Sequence, residues 1–194
     1  MSLSKNLLKT KPVNKTVFST NEIGQILNSN NKQNSYSALN YATQKGDLIR
    51  ITRGLYALNK NYSKLELGNK LRKPSYVSLY TILQLEGVVF QYYKSIYLIT
   101  KRTDEISIND QKYIYRKVKD SILLNPLGLI TENSIIKATI ERAICDKIYL
   151  DGDEYFDNLR DVNWDFMSKL NEKVYKDKKI LKFISKNKDA ITWH

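Results

Sequence analysis

Few of the residues that carry enzyme chemistry are present. Cys145 is the one cysteine in 194 residues, so no intrachain disulfide can form and a reducing, cytoplasmic setting is expected. His194 is the one histidine and lies at the end of the sequence. Ser-His and Cys-His couples and a histidine-rich metal site are thereby nearly excluded. The seven glycines are scattered and spell neither a phosphate loop nor a dinucleotide fingerprint. No apolar run approaches the roughly 20 residues needed to cross a bilayer, and the first residues lack the apolar centre of a signal peptide. Neither export nor membrane insertion is expected. There is no internal repeat, although residues 28–34 are rich in asparagine.

Acidic residues are also scarce, 20 against 32 lysines and arginines, for a net charge of +12. The imbalance is uneven. Residues 1–72 hold 12 basic side chains and 3 acids, a net of +9, whereas residues 73–194 hold 20 and 17, a net of +3. The first third is therefore the anion-binding part. Nucleic acid is the expected partner, because neutralised phosphates release counterions; a solubilising lysine surface is the alternative.

That basic segment carries a recognisable pattern. Ser19 stands where a helix N-cap belongs, Glu22 completes a capping box, and Phe18 and Ile23 occupy the two positions of a hydrophobic staple. A helix is predicted to start there, and the polar run Asn28 to Asn34 to end it. A second helix is predicted from about Ser35 to Lys45, with Leu39 and Ala42 inward and Gly46 as its stop. Leu48 to Ile51 and Leu55 to Leu58 then read as two strands joined through Thr52-Arg53-Gly54, a wing with an arginine at its tip.

In a winged helix-turn-helix the second helix enters the major groove. Asn34, Ser35, Ser37, Asn40, Tyr41, Gln44 and Lys45 are the candidate DNA-contacting residues there, with Asn40 and Gln44 able to pair bidentately with adenine. Arg50, Thr52 and Arg53 are the candidates on the wing, suited to phosphate or a narrow minor groove.

Before this segment, Leu3, Leu7 and Leu8 suggest a short amphipathic helix; after it, Lys64 to Leu71 reads as a connecting helix and Pro74 as a boundary. The expected fold is α+β. Residues 1–72 form the winged domain, and residues 73–194 a domain with a small, mostly antiparallel sheet and several helices. Its predicted strands are Val88 to Tyr92, Ser95 to Thr100 and Lys112 to Val118. Its predicted helices start at Ser78 as N-cap and run over Thr139 to Leu150, Trp164 to Tyr175 and Lys178 to Ser185. Cys145, among Ala143, Ile144 and Ile148, reads as a core thiol. Asp110-Gln111-Lys112 has the acid-x-Lys spacing of a metal-dependent nuclease strand, but Asn109-Asp110 reads more readily as a hairpin turn. Asp151-Gly152-Asp153-Glu154 lacks the spaced acids of a calcium loop and reads as a turn. No cofactor and no metal is expected.

Three segments carry a family resemblance. The first runs from Leu39 to Ala42 through Lys45-Gly46-Asp47-Leu48-Ile49-Arg50 to Thr52-Arg53-Gly54-Leu55-Tyr56-Ala57-Leu58. The second is Pro74-Ser75-Tyr76-Val77-Ser78-Leu79 through Glu86-Gly87, and the third Ala138-Thr139-Ile140-Glu141-Arg142-Ala143-Ile144-Cys145-Asp146. In this order they resemble the AbiEi-type antitoxins of type IV toxin-antitoxin systems, over about Phe18 to Leu150. The resemblance implies a non-enzymatic repressor that binds double-stranded operator DNA, with inverted repeats, in its own promoter. It also implies an antitoxin, acting in phage defence, that opposes a nucleotidyltransferase-like toxin without a stable complex. A stand-alone regulator and a winged-helix-targeted nuclease are the competing expectations.

Overall fold

The Ser19 amide donates to Glu22 Oε2 at 2.7 Å and the Glu22 amide donates to Ser19 Oγ at 3.3 Å, the reciprocal capping that the sequence predicts. The computed structural model in which this is seen describes residues 14–26 and 32–191, side chains at 32–35 and 189–191 excepted. The expected helix of Leu3, Leu7 and Leu8, and His194, lie outside the described residues. The chain divides into two compact units, Met1–Leu71 and Arg72–His194.

The first unit contains β1 (Val17–Ser19), α1 (Thr20–Ile26), α2 (Lys32–Gln44), β2 (Ile49–Thr52), β3 (Leu55–Ala57) and α3 (Lys64–Leu71). Its sheet has the order β1-β3-β2, with both pairings antiparallel. Phe18, Ile23, Leu39, Ala42, Leu48 and Tyr56 form the core, which Ile26 and Leu58 flank. Two expectations are corrected. Helix α2 starts at Lys32, so residues 32–34 of the expected polar break are helical. Helix α3 is no connector. Its Glu66 is fully buried and accepts from the Thr16 amide (2.8 Å), the Thr16 hydroxyl (2.7 Å) and the Val17 amide (3.1 Å), which fastens the helix to β1. A buried carboxylate requires such donors.

The second unit has a six-stranded mixed sheet. Its strands are β4 (Ser75–Val77), β5 (Ile96–Thr100), β6 (Asp104–Ile108), β7 (Gln111–Lys117), β8 (Leu129–Glu132) and β9 (Ile135–Ala138), in the order β6-β7-β5-β4-β9-β8. Three pairings are antiparallel, whereas β5–β7 and β4–β9 are parallel. Helices α4 (Tyr80–Leu85), α5 (Asp120–Leu123), α6 (Ile140–Asp151), α7 (Trp164–Leu170) and α8 (Lys178–Ile191) accompany it. The expected strand Val88 to Tyr92 is not one. The Val88 and Val89 amides donate to Leu83 O at 2.7 and 3.1 Å, so they cap α4 and are lost to any ladder. Ser78 does not cap α4 either; its hydroxyl donates to Asp146 Oδ2 at 2.7 Å. Thr139 does cap α6, accepting from the Arg142 amide at 3.3 Å.

Helix α6 carries the centre of this unit. The fully buried Asp146 accepts from Ser78, from Tyr76 Oη at 3.0 Å and from Tyr175 Oη at 2.7 Å. Tyr175 reaches it from a π-helical turn, Asn171–Tyr175, that ends the predicted Trp164-to-Tyr175 helix. Arg142, also fully buried, donates to the carbonyls of Ile122 (2.6 Å), Asn125 (2.9 Å) and Leu127, and to Tyr76 Oη (3.3 Å). Burial pushes the Asp146 carboxyl up against the opposing effects of Arg142 and the three hydroxyls. Burial likewise pushes the Cys145 thiol well above its ordinary range, as suits a core thiol. Among the described residues no helix is long and apolar enough to cross a membrane.

Two outcomes follow for stability. Burial raises the Glu22 carboxyl, but hydrogen bonds from Lys15 and Lys70 and from the Ser19 amide prevail and hold it at about 2 against an ordinary 4.5. A depressed carboxylate stabilises the fold above its unfolded pKa and loses that contribution as pH falls towards its folded one. Glu22→Gln is therefore expected to cost about 1–2 kcal/mol at neutral pH, after allowance for solvent screening. The gap from wild type should close between pH 4.5 and 2, measured by hydrogen exchange at the Phe18 and Ile23 amides. Arg142→Met, which strips the buried network of its cation, should cost about 3–5 kcal/mol. Urea unfolding followed by tryptophan fluorescence reads this out, since Trp164 and Trp193 both belong to the second unit.

Candidate nucleic-acid interface

An α-helix turns about 100° per residue, so Ser37, Asn40, Tyr41 and Gln44 fall on one stripe of α2 and Leu39 and Ala42 on the opposite side. The burial agrees. Leu39 and Ala42 are buried, while Ser37, Asn40, Tyr41, Gln44 and Lys45 are exposed. Lys45 Nζ lies 4.8 Å from the centre of the Tyr41 ring, a cation–π contact one turn along the helix. Tyr36, half-exposed at the edge of this stripe, was not singled out in the sequence. The side chains of Asn34 and Ser35 lie outside the described residues, although both positions are helical.

The end of α2 leads directly into the wing. Gly46 takes φ +77°, which an L side chain rarely adopts, and the Asp47 and Leu48 amides donate to Ala42 O at 2.9 and 3.3 Å. These bonds leave no slack between helix and strand. In the wing, Arg50 pairs with Tyr56 and Thr52 with Leu55, with a register shift between Arg50 and Thr52. Arg50 and Arg53 are exposed and Thr52 is half-buried, so the arginines are the accessible members of the wing set.

Thr20 anchors the turn, a role with no sequence signal. Its amide donates to Gly54 O at 3.0 Å and its hydroxyl to the same oxygen at 3.4 Å, which ties the wing to the start of α1.

Charge is sorted within the unit. Glu22 receives Lys15 at 2.7 Å and Lys70 at 2.8 Å, so two lysines are consumed internally. Among the described residues no carboxylate forms a salt bridge with Lys45, Arg50 or Arg53. Three cations thus flank the polar stripe without neutralisation, an arrangement suited to a phosphate backbone with base edges beneath.

The remaining sequence candidates lie in the second unit. Asp110 and Asn109 form the turn of the β6–β7 hairpin, with Asn109 at φ +52°, and Lys112 pairs with Glu105 at 2.7 Å. Asp151 pairs with Arg116 (2.6 Å) and Lys147 (3.1 Å), and Glu154 with Lys147. Among the described residues no three histidine, cysteine, aspartate or glutamate side chains are grouped to hold a metal ion.

Residues 14–59 match the family model described as "Transcriptional regulator, AbiEi antitoxin". The match begins just before β1 and ends just after β3. No curated protein matches the chain.

Variants of two kinds separate the elements of this surface. Arg53→Ala is expected to weaken binding to every DNA sequence and to lower the salt slope by about one, because a phosphate contact carries no base information. Asn40→Ala or Gln44→Ala should instead erode discrimination between sites by about 1–3 kcal/mol. Competition binding at two salt concentrations measures both, and an unchanged slope for Arg53→Ala would refute the wing contact.

Proposed function

We propose, from the AbiEi-type regulator domain at residues 14–59, that this protein is a DNA-binding transcriptional repressor and the antitoxin of a type IV system. It binds inverted repeats in double-stranded operator DNA of its own operon. Residues 1–72 carry that binding. Residues 73–194 carry antitoxin activity against a nucleotidyltransferase-like toxin, without a stable complex. The protein acts by binding and not by catalysis. The observation that supports this reading best is the polar stripe Ser37, Asn40, Tyr41 and Gln44 set beside unneutralised Lys45, Arg50 and Arg53, all inside the matched residues.

A second line of support comes from the other two segments that resemble the AbiEi family. Tyr76 and Ser78 belong to one and Arg142 and Asp146 to the other, and they meet in a single buried network. The two segments that carry the resemblance beyond the matched residues thus meet in one buried network. The nuclease alternative draws no comparable support, since Asp110 occupies a hairpin turn and Lys112 is paired with Glu105.

The decisive experiment uncouples the two activities. Arg53→Ala combined with Asn40→Ala should abolish operator binding yet still rescue growth when expressed from a foreign promoter beside the toxin gene. A folded, equally abundant double variant that fails to rescue would make DNA binding itself the antitoxin mechanism. Growth that never depends on the neighbouring gene product would leave a stand-alone regulator.

A further inference from the structure

Two loops of the second unit are locally acidic. The loops covering residues 86–94 and 152–162 hold Glu86, Asp153, Glu154, Asp157 and Asp161 against Lys94 and Arg160, and with Glu154 paired to Lys147 a net of −2 remains in a protein of net +12. The same loops expose large rings: Phe90 is 72% exposed, Tyr92 76% and Tyr155 82%. Leu85, at 61%, adjoins them. Clustered exposure of this kind marks an interaction surface far more often than scattered single residues do.

The rings stand on a fixed scaffold. The Phe90 amide donates to Asp157 Oδ2 at 2.8 Å, the Asn158 amide to Val88 O at 3.2 Å, and Asn158 Nδ2 to Gly87 O at 3.3 Å. Between the same loops Tyr80 stacks on Tyr93, with ring centres 4.1 Å apart, and its hydroxyl donates to Glu154 at 2.6 Å. The outer rings contribute nothing to that support.

We propose that these two loops dock a basic protein segment whose arginine side chains lie against the exposed rings. A guanidinium is attracted to an aromatic face and to a carboxylate together, and it is weakly hydrated, so it gains from both at one surface. Local negative charge disfavours nucleic-acid phosphate here, which separates this surface from the cationic face of the first unit. Electrostatic complementarity sets the partner's sign, and the tyrosines supply anchors of the kind that dominate interface energies. The proposal does not depend on the antitoxin reading.

The test uses the full chain and a short peptide of alternating arginine and glycine, with a glutamate-glycine peptide and a short oligothymidylate as comparisons. Amide spectra of the ¹⁵N-labelled protein should shift at residues 86–93 and 153–158 with the arginine peptide alone. Tyr92→Ala combined with Tyr155→Ala should weaken its binding about tenfold or more by calorimetry. Asp153→Asn with Asp161→Asn should weaken it and reduce its salt dependence, while all four changes leave the melting transition in place. Unchanged affinity in the tyrosine variant, shifts confined to other residues, or oligothymidylate shifting these same amides would each overturn the proposal. So would self-association abolished by the tyrosine changes, which would make a second copy the occupant.

Discussion

A carboxylate taken out of water must be met by donors, and in both units this requirement decides which segments come together. In the first unit Glu66 gathers the strand before α1 to the helix after the wing, and Glu22 caps α1 while binding lysines from both ends of the unit. In the second, Asp146 collects hydroxyls from β4, from the residue after it and from the π turn. Each carboxylate belongs to a helix, and each recruits partners 29 to 70 residues away where the contact is to a distant segment.

For the proposed nucleic-acid interface the consequence is a helix and a wing held in a fixed relation. Glycine at position 46 allows the chain to turn from α2 into β2 within four residues, and Thr20 clamps the wing turn to α1. A preorganised surface loses less entropy on binding. The internal lysines matter as well. By binding Lys15 and Lys70 inside the unit, Glu22 leaves Lys45, Arg50 and Arg53 as exposed cations of α2's end and the wing.

The two units divide their charge as they divide their proposed roles. The first has a net of +8, whereas the second combines a small net charge with an acidic, aromatic pair of loops. A single diffuse polyelectrolyte would not show such local reversal. Surfaces of opposite sign on one chain suit partners of opposite sign, phosphate for one and basic protein for the other.

Local chemistry was legible in the sequence. The capping box of Ser19 and Glu22, the inward Leu39 and Ala42, the wing around Arg53 and Gly54, and the Thr139 cap each depend on spacing over a few residues, and the structure shows all of them. Expectations failed where a long-range partner overrode local preference. Val88 to Tyr92 has strand composition, but its first amides close the end of α4. Ser78 has cap chemistry, but its hydroxyl is drawn to Asp146. Lys64 to Leu71 reads as a connector until Glu66 finds Thr16 and Val17 across the fold. Strand order lies further still from sequence, since β7 inserts between β5 and β6 and makes parallel pairs that no hairpin pattern announces. The chain by itself determined where helices start, which faces are apolar and where positive charge collects, because these follow from neighbours three or four residues apart. Only the tertiary structure decided which strands pair and which donors reach the buried carboxylates, because those choices compare partners that become neighbours only after the chain has folded.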